Sequence, residues 1–257
     1  MQCGDSFDKD SIDKLIDGQK IDCLYTDPPF GMNLDTDFSH MGLHNIENKT
    51  IKTGAENKIY KKVEGDDKPF DPTFLLEYFK DIKEIFLWGA NYYADKLPNL
   101  AMGKSSWFVW NKRVEDNKMD LSHVDFTLSE FELCWSKTKH RQRIINCMWF
   151  GFNGLQFEGK GSNKRIHPNQ KPVRMIKTCF EYFLKEEHKN IVDLFGGSGS
   201  TLIACEETNR NCFMMEFDPK YCEDILNRYK KFTGSDKDIY LVRDGQKVHY
   251  SDIVSKI

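Results

Sequence analysis

Three short stretches carry residues whose types and spacing could do chemistry. In "IDCLYTDPPFGMN", residues 21–33, an apolar run climbs to Asp27 and is then stopped by Pro28 and Pro29, with Phe30 behind them. A carboxylate at the end of a buried strand is a fixed hydrogen-bond acceptor. The prolines lock φ and donate no N–H, so the carbonyl of Pro28 is aimed rigidly beside it. Phe30 adds a ring face on which another flat ring can stack. In "NIVDLFGGSGST", residues 190–201, a second apolar run ends in Asp193 and opens into Phe195, Gly196, Gly197, Ser198 and Gly199. Glycines there allow a sharp turn and close approach of a ligand to the backbone. The turn lacks the Lys-Ser/Thr ending of a P-loop. The next strand, in "CFMMEFD", ends in Glu216 before Phe217, where a carboxylate can accept from both hydroxyls of a ribose. Asp193 can receive an ammonium group. The third stretch is "HPNQKPV", residues 167–173, with Lys171 ahead of a proline that opens a helix.

The elements that position these residues alternate. Strands are expected at "IDCLYTD", "EIFLWG", "SSWFVWN", "DFTLSEFELCWS", "NIVD" and "CFMMEFD". Helices are expected after residue 4, with Asp5 or Ser6 as N-cap, over 71–82, from Pro172 to about 185, after the glycine turn, and over "PKYCEDILNRYKKF". A short helix near "NYYADKL" separates two of the strands, and "IYLVRDGQKVHY" reads as a hairpin around Asp244-Gly245. Alternation of this kind implies a parallel sheet covered on both faces, with ligands at the carboxyl ends of its strands. Asp27 and the glycine turn should therefore open onto one edge. Residues 31–70 are polar and weakly periodic, and are expected to form a long mobile loop.

The 257 residues, 39% hydrophobic and 30% charged, suit one α/β domain spanning 1–257. No run approaches the roughly 20 apolar residues of a membrane span, and no secretory signal is expected at "MQCGDSFDKD". The eight cysteines are scattered without a C-x-x-C pair and read as reduced core residues of a cytoplasmic protein, with no metal site. The net charge of −3 argues for no nucleic acid, but its distribution does. Residues 137–174 hold nine Lys/Arg against one acid, interleaved with Trp149, Phe150, Phe152 and Phe157. The region 137–166 is accordingly expected to be a small DNA-recognition element, with Lys137, Lys139, Arg141, Arg143, Lys164 and Arg165 on phosphates.

Taken in order, "DPPF", "HPNQKPV" and "DLFGGSGST" resemble the β-group of DNA amino-methyltransferases, in which the catalytic motif precedes the cofactor motif by circular permutation. The stretches "IFLWGANYYADKLP", "WFVWNKR" and "SEFELCWS" are also similar to that family, particularly to small phage and prophage adenine methylases. The resemblance covers roughly residues 1–230. Departures are Phe30 where tyrosine is commonest, Asn169 for the usual threonine, and Gly197 where a larger residue is frequent.

The resemblance implies a Rossmann-like methyltransferase fold with a mostly parallel seven-stranded sheet, one antiparallel strand and helices on both faces. It implies transfer of a methyl group from S-adenosylmethionine to N6 of a flipped-out adenine in double-stranded DNA. Asp27, Pro28, Pro29 and Phe30 would be catalytic. Asp5, Asp27, Lys171, Asp193, Phe195, Gly196, Gly197, Ser198, Gly199, Glu216 and Phe217 would hold the cofactor, Asp5 at its adenine amine and Lys171 near its methionine end. The acceptors at position 27 and the Pro28 carbonyl restore a usable lone pair to an amine otherwise delocalised into its ring. Cytosine N4 offers the same kind of amine. An RNA base methyltransferase and an inactive DNA-binding module are the more distant alternatives. The family also admits a homodimer and a cognate restriction enzyme as partners, in a prokaryotic or phage-infected cell. The recognition sequence is not legible.

Overall fold

A computed structural model of the chain describes residues 1–37, 59–98, 103–112, 129–149, 165–243 and 245–254, together with the backbone at 43–46 and 49–52. Its strands in chain order are β1 (Gln2–Cys3), β2 (Cys23–Thr26), β3 (Leu43–Ile46), β4 (Lys49–Lys52), β5 (Glu84–Trp88), β6 (Ser106–Asn111), β7 (Phe131–Ser136), β8 (Ile144–Asn146), β9 (Asn190–Asp193), β10 (Asn211–Glu216), β11 (Tyr240–Arg243) and β12 (Gln246–His249). The helices are α1 (Lys9–Ile16), α2 (Thr73–Tyr78), α3 (Val173–Phe183), α4 (Ser200–Glu207), α5 (Pro219–Thr233) and α6 (Tyr250–Val254), with a 3₁₀ helix at Ala90–Lys96.

Eight strands form the main sheet in the order β1-β10-β9-β2-β5-β7-β6-β8. All run parallel except β7, which is antiparallel to both β5 and β6. The mixed, mostly parallel sheet is the expected one, with one strand more than the seven anticipated. The short edge strand β8 falls in the basic region, which shows no strand pattern in sequence.

Both faces are buried, so the central strands read as unbroken apolar runs rather than alternations. Successive residues nevertheless go to opposite sides. Cys23, Tyr25, Phe86, Trp88, Phe108 and Trp110 pack with α3 and α4 through Met175, Phe180 and Ile203. Leu24, Ile85, Leu87, Trp135 and Val192 pack with α1, α2 and the 3₁₀ helix through Ile12, Leu75 and Tyr93. Each such large side chain contributes about 1.5–3 kcal/mol on burial, which fixes the strand ends that carry the acids.

Three local expectations are corrected. The N-cap of α1 is Asp8, whose carboxylate accepts from the N–H groups of Asp10 and Ser11. Asp5 and Ser6 are engaged elsewhere: Asp5 accepts from Phe7 N, and the Ser6 hydroxyl donates to Leu194 O. The 31–70 stretch contains an antiparallel hairpin, β3 with β4, and a bridge between Asp37 and Ile59. Helix α2 ends at Tyr78, short of residue 82. The hairpin of β11 and β12 forms as expected, while Asp244, His40 and the region 150–164 with Lys160 and Lys164 lie outside the described residues. Among the described residues no helix is long and apolar enough to cross a membrane, and no group of three metal-ligating side chains is found.

Candidate active site

Strands β2 and β9 are neighbours at the middle of the sheet. From β2 the chain crosses to β5 on one side, and from β9 to β10 on the other. The crevice outside their carboxyl ends is thus a topological switch point, where open α/β sheets bind ligands. Asp27 follows β2 and Asp193 ends β9, and the Thr26 hydroxyl donates to Asp193 Oδ1 at 2.8 Å. One cavity of about 480 Å³ joins Asp27, Pro28, Pro29 and Phe30 to Gly196, Gly197, Glu216, Phe217 and Asp5. The size is that of an ordinary small-molecule site.

At one end of the cavity Lys171 bonds Asp27 Oδ2 at 2.5 Å. Asp27 Oδ1 is buried and has no hydrogen-bond partner among the described residues. Burial raises the Asp27 carboxyl above the usual range, and the charge of Lys171 offsets part of that rise. Lys171 also meets Glu132 at 2.8 Å. Burial opposes the charge of Glu132, but Lys171 and Lys112 outweigh it and hold its carboxyl at about 2.

Phe30 is seated from three sides. Tyr92 stacks on its ring with centroids 4.5 Å apart and planes within 10°. Gly89, just after β5, leaves the space that the ring edge occupies. Asp66 holds the chain beyond Phe30, accepting from the N–H groups of Gly31 and Met32 at 3.1 Å and of Leu34 at 2.9 Å. The face of Phe30 that sequence offers for stacking is thus partly taken by a neighbouring ring.

At the other end the glycine turn lies between β9 and α4. Glu216, at the tip of β10, accepts from Gly197 N at 2.6 Å and Asp218 N at 2.9 Å. Each oxygen keeps a second lone pair for a ligand hydroxyl. Burial raises the Glu216 carboxyl and pushes that of Asp193 up to about 7. His167 sits against Tyr221 and is held near 3 by burial, so it is a neutral ring whose Nδ1 accepts from Asn169 N. Asp5, Asp27, Glu64, Asp193, Glu216 and Asp218 line the cavity against Lys68 and Lys171. That excess of acids suits a cationic ligand such as a sulfonium bearing an α-ammonium, and not a nucleotide phosphate.

Of the residues expected to hold cofactor, Asp5, Asp27, Lys171, Asp193, Phe195, Gly196, Gly197, Ser198, Glu216 and Phe217 line the cavity. Gly199 does not. A Cβ on it would stand 2.8 Å from Ile225, so it lets α4 pack against α5. Lys171 reaches Asp27 itself.

The basic segment begins where β7 ends. Because β7 runs antiparallel, Ser136 lies level with Phe86 and Ser106, away from the carboxyl edge. Lys137 and Lys139 therefore follow towards the edge opposite Asp27, whereas the carbonyl of Arg143 accepts from Val109 N, level with Leu133 and so with Gly89. Lys137 donates to the carbonyls of Lys80 and Ile82, and Arg143 lies over the ring of Tyr182. Arg165 is half-buried near Trp149, and desolvation of its guanidinium lowers it to about 10. Lys164 lies outside the described residues.

Sequence reasoning missed Glu132, Lys112, Tyr92 and Asp66. Glu132 carried a weak signal, an acid early in the strand "FELCWS". Asp66 and Tyr92 carried none, because their partners are about 30 and 60 residues away in sequence.

A central acid-proline turn faces a glycine turn across one acid-lined cavity, the arrangement expected of an S-adenosylmethionine-dependent methyltransferase. The chain belongs to the DNA methylase family, whose model matches residues 36–227. It is thus an S-adenosylmethionine-dependent DNA amino-methyltransferase, of a family that spans N6 and N4 chemistry. Its fold is shared with the crystal structure of the M1.HpyAVI-SAM complex, at 17% identity over 88% of this chain and 98% of that one, with a TM-score of 0.50. It is shared equally with the PvuII DNA methyltransferase (cytosine-N4-specific), at 14% identity over 93% and 87%, again with a TM-score of 0.50. No curated protein matches the chain.

Proposed function

We propose that the chain methylates N6 of an adenine swung out of double-stranded DNA. The observation that carries this reading is Asp27 Oδ1, a buried acceptor without a hydrogen-bond partner among the described residues, on a side chain that lines the cavity. A buried acceptor left unpaired costs roughly 1–3 kcal/mol, and an N–H of the target amine relieves that cost. The Pro28 carbonyl takes the second N–H. Together they favour the pyramidal amine, whose lone pair can form the new N–C bond. S-adenosylmethionine supplies a methyl group already activated on sulfur. Asp193 receives the cofactor's ammonium, Glu216 its ribose and Asp5 its adenine amine. The glycine turn leaves room for the cofactor to lie close to the backbone.

Flipping the base costs a few kcal/mol. Stacking on the Phe30–Tyr92 pair, worth roughly 1–3 kcal/mol per base, offsets part of it. The 31–70 region, whose Val63, Glu64, Gly65 and Lys68 already line the cavity, closes over the site. DNA approaches the carboxyl edge, where Lys112 and Trp149 meet and from which the 150–164 stretch departs. The order of Asp27 before the glycine turn is read as a circular permutation, and the protein as cytoplasmic.

Incubation with plasmid DNA and S-adenosylmethionine, followed by nucleoside analysis, tests the reading. N6-methyladenine is expected, and N4-methylcytosine alone overturns the choice of base. Asp27→Ala is expected to abolish turnover while leaving cofactor affinity near that of the parent. Substantial residual turnover contradicts the role given to the carboxylate.

A further inference from the structure

Behind Asp27 runs a line of four charges of alternating sign. Asp27 Oδ2 meets Lys171 at 2.5 Å, Lys171 meets Glu132 Oε2 at 2.8 Å, and Glu132 Oε1 meets Lys112 at 2.5 Å. The residues come from the turn after β2, the approach to α3, the start of β7 and the end of β6. Glu132 is the second residue of β7, and the reversed direction of that strand is what brings it to the catalytic edge, level with Trp110. The Trp110 ring walls both ammonium groups, 5.9 Å from Lys171 and 4.9 Å from Lys112.

Buried ion pairs of this kind are weak sources of stability, because desolvation consumes most of their attraction. Their geometry is more informative. A lysine that faced Asp27 alone could bond either carboxylate oxygen. Here the ammonium bonds Oδ2 and also lies 2.8 Å from Glu132 Oε2 as an ion pair outside hydrogen-bond geometry, and Oδ1 has no hydrogen-bond partner among the described residues. We propose that Glu132 is a positioning residue: anchored by Lys112, it pins Lys171 to one oxygen of Asp27 and keeps the other open for the target amine. The inference rests on the reading of Asp27 as the amine's acceptor. Glu132 touches neither substrate nor cofactor in this role. Loss of Glu132 frees Lys171 to bridge both oxygens of Asp27 and compete with the amine. Loss of Lys112 leaves Glu132 in place but unanchored, so a smaller effect in the same direction follows.

The test is single-turnover methylation of duplex DNA by the full chain and by Glu132→Gln, Lys112→Met and the double variant, with calorimetric titration of S-adenosylmethionine on each. Glu132→Gln is expected to slow the methylation step by roughly 10- to 100-fold, the scale of one misplaced charge-assisted hydrogen bond, with cofactor Kd held within about twofold. Lys112→Met is expected to slow it less, and the double variant no more than Glu132→Gln, because the two act as one chain. Should Glu132→Gln fail to fold, Lys112→Met, which does not touch Asp27, carries the same comparison. Variants that keep the parent rate while folded sink this inference alone. A loss that appears only in cofactor Kd also sinks it. A parent that binds S-adenosylmethionine and methylates no base amine sinks the reading of Asp27 and this inference together.

Discussion

The ring of Phe30 occupies the space that a side chain on Gly89 would need. A Cβ at Gly89 would stand 2.4 Å from two ring carbons, and its φ of +64° already favours glycine. The strand β5 thereby sets the position of a ring that follows β2. Gly89→Ala is expected to push Phe30 out of its seat and cost roughly tenfold or more in turnover, on the scale of one lost base-stacking contact. Cofactor affinity should be retained. Steady-state kinetics beside calorimetry checks both halves.

Asp66 is the clasp of the loop that presents Phe30. Asp66→Ala leaves the N–H groups of Gly31, Met32 and Leu34 without their carboxylate. Unfolding in urea should show a loss of about 2 kcal/mol or more, together with lower turnover. Unchanged stability would mean that the loop finds other partners.

With Asp193 receiving the cofactor's ammonium as proposed, cofactor binding should depend on pH. Burial raises its carboxyl to about 7, so below that pH the free protein holds a proton there. An arriving ammonium favours the charged carboxylate, so binding releases that proton. Affinity for S-adenosylmethionine should therefore rise as pH increases from about 5 to about 7 and then level off. Titration at several pH values, in buffers of different ionisation heat, reads both the slope and the released proton. Asp193→Asn should flatten the dependence.

The placement of the basic residues separates two sets of cations. Lys139 follows β7 beside Gly103, towards the edge opposite Asp27, so Lys139→Ala should leave DNA affinity and its salt dependence near those of the parent. Lys160→Ala and Lys164→Ala remove cations of the segment proposed to meet DNA. Each should weaken binding and lower the salt slope by roughly one. Binding isotherms across a salt series distinguish the two sets.

The central acids were legible in sequence because each ends an apolar run whose neighbours in space are also strands. Alternating strands and helices then force Asp27 and Asp193 onto one edge. Lys171 was legible as a site residue, but its bond to Asp27 was not, since 144 residues separate them. The direction of β7 was not legible either. A strand buried on both faces, as at Cys134 and Trp135, reads the same forwards and backwards. The cations after it were read towards DNA from their clustering alone, and the pairing of Ser136 with Phe86 and Ser106 starts them away from Asp27. The hairpin within 31–70 escaped notice because its eight strand residues are mostly polar.

The one reversed strand has an evolutionary corollary. Residues 113–128 leave the end of β6 and rejoin the start of β7, so both of their attachment points lie on the rim that holds the chemistry. The 150–164 stretch departs from the same rim beside Trp149. Lengthening or exchanging these inserts is therefore expected to change target choice, while the strands that hold the acids stay as they are. An architecture arranged in this way lets a lineage change which DNA words it marks without relearning how to mark them.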